Sequence, residues 1–224
     1  MTISGDLGSN SCSGINEGHK CVAKILSSRH STRAFQKTPV PHAVLEEVLA
    51  ISQHAPSNSN LQPWRLKVVT GSALQRLTSS LASTVSSGTP SAVKPIPEPY
   101  RHYRSALGKQ LYGPEGYDIP RADEERMREA QLRNYKFFDA PCAFIICMER
   151  SLEQVDVLSI GMYVQALCLL LAEHGIATCV EVSVAGYPQV RDPISLSICF
   201  LYTISVRQFK MCPNMNRSSR KSSG

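Results

Sequence analysis

Arg29, Ser31 and Arg33 alternate in the segment Arg29-His30-Ser31-Thr32-Arg33, so an extended backbone puts all three side chains on one face. Two guanidinium groups flanking a hydroxyl suit an anionic ligand. They can bind a phosphate through charge-assisted, partly bidentate hydrogen bonds, which arginine makes better than lysine. Taken alone, the same residues also suit an exposed basic turn before a helix. A second polar constellation follows at Pro56-Ser57-Asn58-Ser59-Asn60-Leu61-Gln62-Pro63-Trp64. Pro56 and Pro63 fix φ at two places, while Ser57, Asn58 and Asn60 offer donors and acceptors to a planar heterocycle. An ordinary Asx or Ser turn uses the same residues.

Other chemistries lack their signatures. The sequence contains no Gly-x-Gly-x-x-Gly, no Gly-x-x-x-x-Gly-Lys-Ser/Thr, no His-Glu-x-x-His and no Gly-x-Ser-x-Gly. The histidines at 19, 30, 42, 54, 102 and 174 are scattered without metal-ligand spacing. No metal site is expected.

The elements that must position the two segments can be read from periodicity. Cys21 to Arg29 reads as a short helix. In His42 to His54, Val44, Leu45, Val48, Leu49 and Ile51 recur at helical spacing after Pro41. Trp64 to Thr70 reads as a strand and Ser72 to Leu81 as a helix. Between Ala82 and Pro120 six prolines break the chain and rule out a long uninterrupted helix, so the reading there is either a lid over a site or a decorative insertion with one short helix. Arg121 to Phe138 follows as a charged amphipathic helix. Cys142 to Met148 is a continuous apolar run of strand length, Val157 to His174 a buried helix closed by Gly175, and Ile176 to Val182 another strand. Ala185 to Arg191 reads as a turn or short helix. This order has no regular βαβ repeat, which predicts an α+β fold.

Bulk properties set the class. With 224 residues, 42% hydrophobic and 19% charged, the chain suits one soluble domain. Its net charge is +6, but residues 207 to 224 carry Arg207, Lys210, Arg217, Arg220 and Lys221 and no acid, so the body holds only +1. That balance argues against a nucleic-acid partner. The eight cysteines include no Cys-x-x-Cys, several lie in apolar runs, and Met1 to Lys20 is a Ser/Gly/Asn-rich leader without the apolar stretch of a signal peptide. The expectation is a reduced, cytoplasmic protein. The apolar run Val157 to Ala172 is interrupted by Ser159, Gly161 and Gln165, so it reads as a core helix and no membrane span is expected.

Arg-His-Ser-x-Arg-x-Phe at 29 to 35, followed by Ala-Pro-Ser-x-x-Asn-x-Gln-Pro-Trp at 55 to 64, resembles the opening of the FMN-dependent nitroreductases. The likeness continues through residues 117 to 123, Asn134 to Pro141 and Gly161 to Tyr187, covering roughly residues 21 to 191. The resemblance implies a three-layer α+β fold, with a central, mainly antiparallel sheet flanked by helices over residues 21 to 206. It also implies a homodimer with two FMN sites at the subunit interface. In such a dimer Arg29, His30, Ser31 and Arg33 approach the flavin's phosphate and pyrimidine side, and Pro56, Ser57, Asn58 and Asn60 come from the other subunit. Val184, Ala185 and Gly186 lie near the reactive edge, and Lys136 balances the flavin's charge. The implied activity is ping-pong reduction of nitro, quinone or related small organic substrates by NAD(P)H through flavin N5, with no catalytic side chain. A flavin-dependent dehydrogenase, or a catalytically impaired ligand-binding paralogue, is the alternative.

After Arg191 the likeness stops. Ile194 to Val206 has strand composition. Two expectations stand side by side: that it replaces the family's final strand, or that these residues pair with nothing. Arg207 or Lys210 is a possible stand-in for the family's C-terminal basic contact.

Overall fold

The computed structural model describes residues 22–190 and the backbone of residues 202–208. The readings for the leader, for 191–201 and for the tail from 209 fall outside them. Six helices and four strands are described: α1 (Val22–Ser28), α2 (His42–Ser52), β1 (Arg65–Thr70), α3 (Gly71–Ser86), α4 (Arg101–Tyr112), α5 (Glu124–Tyr135), β2 (Cys142–Cys147), α6 (Gln154–Glu173), β3 (Ile176–Glu181) and β4 (Tyr202–Gln208). The fold is mixed α and β, as the element order predicted.

The strands form one sheet in the order β1-β2-β4-β3, with every neighbouring pair antiparallel. All six residues of β2 are buried, with α3 packed on β1 and β2 and α6 packed on β3. β2 and β3 run parallel to each other, joined through α6, and β4 fills the gap between them. Its register sets Ser205 opposite Ala143 on one side and Cys179 on the other. The expectation that the segment after residue 191 pairs with nothing therefore fails for 202–208. A gap two strand spacings wide cannot be bridged by backbone hydrogen bonds without an intervening strand.

Several boundaries differ from the sequence reading for local reasons. α3 runs on to Ser86, since the first proline after it is Pro90. The lid contains a full helix, α4, in the proline-free interval between Pro99 and Pro114. α5 starts later than expected, with Asp123 as its cap accepting from the Arg126 N–H at 3.0 Å. It ends earlier, because Phe137, Phe138 and Asp139 all take positive φ (51°, 51° and 63°), a conformation that cannot continue a right-handed helix. α6 begins at a capping box formed by Glu153 and Asp156. At 20 residues it is longer than expected and apolar enough to cross a membrane by length and composition. Its inner face, including Ile160, Tyr163, Val164, Leu167 and Leu171, is instead buried in the core.

Candidate functional site

The Arg29–Arg33 segment leaves α1 and runs along the outer edge of β3. Ser31 forms a parallel bridge with Thr178, and the Thr32 N–H donates to the Thr178 carbonyl at 3.0 Å. The segment is thus extended at Ser31. Its side chains share one neighbourhood: the Arg29 charge reaches the Cys168 thiol on α6, while the Ser31 hydroxyl is hydrogen-bonded with the Cys179 thiol and Arg33 lies within electrostatic reach of it. His30 is exposed, its Nδ1 3.1 Å from the Ser28 carbonyl. Glu181, buried on the same strand, is the acid that Cys179 senses.

A second layer holds this segment in place. Arg133 on α5 donates from Nη2 to the Arg33 carbonyl at 3.0 Å, and its guanidinium lies 4.9 Å over the Tyr117 ring. The Phe35 N–H reaches the Phe138 carbonyl at 3.4 Å, so the left-handed turn after α5 braces the chain just beyond Arg33. Burial raises the Tyr117 hydroxyl's pKa against the opposing pull of Arg133 and Arg33. The sequence reading missed Arg133, because on a helix as charged as α5 it looks like one more solvated side chain.

Val184, Ala185 and Gly186 form a tight turn directly after β3. The turn is tied to the end of α5 by an edge contact between Tyr135 and Tyr187, ring centroids 5.5 Å apart. Lys136 caps that end of α5 with its side chain exposed. The Gly186 carbonyl accepts from the Ala92 N–H at 2.8 Å, and a Cβ on Gly186 would overlap the Ser91 side chain. Glycine there lets the start of the lid lie directly on the turn.

The Pro56–Asn60 segment sits elsewhere, on the N-terminal half of α6. The Asn58 N–H donates to Ser159 Oγ at 3.2 Å, and the Gln62 N–H donates to Ser57 Oγ at 3.0 Å. Trp64 pins its far end by stacking on Tyr163 (4.6 Å) and donating from Nε1 to Gln53 Oε1 at 2.8 Å. Ser59, Asn60 and Gln62 all have φ near 50°, and each such non-glycine residue costs on the order of 1 kcal/mol. The loop is held in a strained shape that presents the Asn58 and Asn60 side chains outward. Among the described residues no hydrogen bond or ion pair joins it to the Arg29–Arg33 segment. On α6, Ser159, which accepts from the loop, and Cys168, which feels the Arg29 charge, are nine residues or roughly 13 Å apart along the helix axis.

The structure therefore sets Arg29, Ser31 and Arg33 along β3, with Arg33 clamped to α5, and places Val184 to Gly186 after β3 against the end of α5 that Lys136 caps. It leaves Pro56, Ser57, Asn58 and Asn60 as a separate, rigid loop on the same chain. Among the described residues no group of three His, Cys, Asp or Glu could hold a metal.

The thiols beneath the arginine segment carry a pH prediction. Burial pushes Cys179 up to about 12, with Glu181 adding to the shift and Arg33 and Ser31 opposing it. Burial alone pushes Cys142 up to about 12, and burial also raises Cys168. Above the ordinary thiol pKa near 9 the unfolded chain loses these protons while the folded chain keeps them. The contribution of these thiols to stability is therefore flat below pH 8 and falls as pH rises toward 11, by up to about 1.4 kcal/mol per pH unit for each such thiol. Urea midpoints at pH 8 and pH 10 test this, with a matching delay in reaction with a thiol reagent until the protein unfolds.

Comparison with known proteins covers the same span. The family model described as the nitroreductase family matches residues 26–192. The chain is 32% identical to a 4-nitrobenzoate reductase of Pseudomonas putida over 73% of both chains. It is 31% identical to a nitrobenzene nitroreductase of Ectopseudomonas oleovorans, over 78% of this chain and 80% of that one. Among solved structures, the FMN and NADPH-dependent nitroreductase NfnB from sphigopyxis sp. strain HMH superposes with a TM-score of 0.79 at 30% identity, covering 84% of this chain and 88% of that chain. The FMN-dependent NfnB of Mycobacterium smegmatis, solved in complex with NADPH, gives a TM-score of 0.76 at 25% identity over 90% and 98%. With the family model spanning most of the described residues and the fold matching throughout, this chain belongs to the nitroreductase family.

Proposed function

We propose that the protein is an FMN-dependent oxidoreductase that takes electrons from NAD(P)H and reduces nitroaromatic or quinone-like small molecules, using one pocket for donor and acceptor in turn. The observation that carries this reading is the donor set at the edge of β3. Two guanidinium groups flank a hydroxyl there, and the Tyr117 hydroxyl, within electrostatic reach of Arg33 and Arg133, is buried without a hydrogen-bond partner among the described residues. Buried polar groups left unpaired are costly, and an anionic, multiply hydrogen-bonding ligand would satisfy them. These residues fit FMN.

In this reading Arg29, Ser31 and Arg33 hold the phosphate and the polar side of the ring system, with His30 at the rim. Arg133 fixes the Arg33 backbone, and Lys136 supplies positive charge. The backbone of Val184, Ala185 and Gly186 borders the reactive edge. Asn58 and Asn60, with Pro56 and Ser57 shaping their loop, contribute from the second subunit. When bound, the flavin supplies the redox chemistry, so the chain needs no nucleophile of its own. Its task is orientation, charge balance and exclusion of water.

A homodimer accounts for the separation of the two motifs. The outer face of α6 carries Val155 (49% exposed) and Leu158 (65% exposed), continued at helical spacing by Met162, Gln165 and Leu169. On that face Gly161 is also exposed, with nothing within 4 Å of an added Cβ. An apolar stripe with a glycine in it allows a second α6 to approach closely. Cys142, Cys168 and Cys179 are free, buried thiols, which agrees with a cytoplasmic setting.

The experiment is anaerobic spectroscopy of the purified protein. A yellow flavin spectrum that NADPH or NADH bleaches, and that 4-nitrobenzoate or a quinone restores, is the expected result. A colourless dimer that does not take up added FMN contradicts the proposal.

A further inference from the structure

The lid contains a cavity that the flavin reading does not use. It lies between α4 and the start of α5 and holds about 460 Å³, a size that suits a small ligand or part of a larger one. Its walls are mostly apolar, with Tyr112, Pro114, Ile119 and Met127 prominent, and the charged residues that line it, Lys109 and Arg121, are both cations. Neither side chain makes an ion pair or hydrogen bond among the described residues. No acid lines the cavity, and Asp123, two residues after Arg121, caps α5 and pairs with Arg126.

Gly108 gives an independent indication. It sits inside α4, where glycine is disfavoured relative to any ordinary helix former. Its φ is not left-handed, and nothing lies within 4 Å of an added Cβ, so neither backbone conformation nor close packing requires glycine. What the missing side chain does is keep the helical wall of the cavity open. α4 itself buries none of its residues. The cavity is therefore no by-product of core packing. It also adjoins the candidate site: the Tyr112 ring is 6.0 Å from that of Tyr117, which lies under Arg133.

We propose that this cavity is a binding subsite for a flat ring carrying an anionic group. The ring packs against Tyr112, Ile119 and Met127, and the anion is held between Lys109 and Arg121. Under the function proposed above, two ligands carry this chemistry. One is the 2′-phosphorylated adenosine end of NADPH, and the other is an aromatic carboxylate substrate. Charge-assisted bonds from two cations favour either over its uncharged counterpart.

Calorimetric titration of the purified, FMN-supplemented protein with 2′,5′-ADP and, separately, with benzoate tests the subsite without turnover. At least one probe is expected to bind. Its affinity should fall by at least about tenfold in the Lys109→Ala/Arg121→Ala variant, from loss of charge-assisted bonds, and again in Gly108→Leu, which fills the cavity while favouring the helix. Melting temperature and flavin content should stay as in the wild type. Binding of 2′,5′-ADP identifies the dinucleotide, and binding of benzoate identifies the substrate. If neither probe binds, or if either variant leaves affinity unchanged, the subsite is overturned. A colourless protein that still binds a probe in this variant-sensitive way would sink the flavin reading and support the subsite.

Discussion

Replacing Arg29 and Arg33 together by alanine is expected to lower FMN affinity by at least about a hundredfold, since each charge-assisted contact contributes on the order of 1.5–3 kcal/mol and the two act on one group. The variant should purify colourless, and fluorescence titration with FMN gives the magnitude. Its fold should persist, because the bonds that hold the segment in place run through backbone atoms: Thr32 N–H to Thr178, Phe35 N–H to Phe138 and Arg133 to the Arg33 carbonyl. The side-chain bond of Arg33 is a long one, 3.5 Å to the Ser31 carbonyl. Unchanged circular dichroism beside lost flavin binding would separate a ligand contact from a structural role. Retained affinity would mean that the arginines face solvent, as an exposed basic turn would have them.

The Ser205→Pro variant should fail to fold stably. Position 205 lies in the middle of β4, between Ala143 on β2 and Cys179 on β3. Proline removes a ladder hydrogen bond and cannot be accommodated in a central strand. The cost, about 3 kcal/mol or more, is a large share of a typical domain stability of roughly 5–15 kcal/mol. Soluble yield and the urea midpoint both report it. If the segment after residue 191 paired with nothing, proline at 205 would be silent.

Local pattern carried much of this fold. Cys142 to Cys147 is legible as a buried strand because an unbroken apolar run is bounded by Pro141 and by Glu149-Arg150. Gly175 marks the end of α6 with a φ of +70°, as a C′ glycine should. The placement of β4 was not legible, since its neighbours depend on pairings with β3 and β2, 22 to 64 residues away, that leave no trace in its own alternation. The left-handed turn at Phe137 to Asp139 was also hidden, because phenylalanine gives no warning of a positive φ. For α4, the prolines at 99 and 114 bound the stretch but leave the twelve-residue length of the helix between them unmarked.

The candidate site was legible as residue types and only partly as geometry. The alternation of Arg29, Ser31 and Arg33 predicts an extended segment, and the bridge between Ser31 and Thr178 supplies the edge that keeps it extended. Nothing in the spacing reveals Arg133 as the clamp on Arg33, one hundred residues away. The strained backbone of Ser59, Asn60 and Gln62 likewise appears only in the fold, although the asparagine content is consistent with left-handed φ.

The central claim, that one flavin site is assembled from the arginine segment of one subunit and the asparagine loop of the other, is tested most directly by complementation. The Arg29→Ala/Arg33→Ala protein is unfolded and refolded together with an Asn58→Ala/Asn60→Gly protein. Glycine is chosen at 60 to preserve the positive φ of 54°. In a mixed dimer one site carries both lesions and the other carries none. Random pairing in a two-fold dimer predicts recovery of about a quarter of the wild-type flavin content and NADPH oxidation, where each variant alone has almost none. No recovery in the mixture, with mixed dimers shown to be present, would contradict the account.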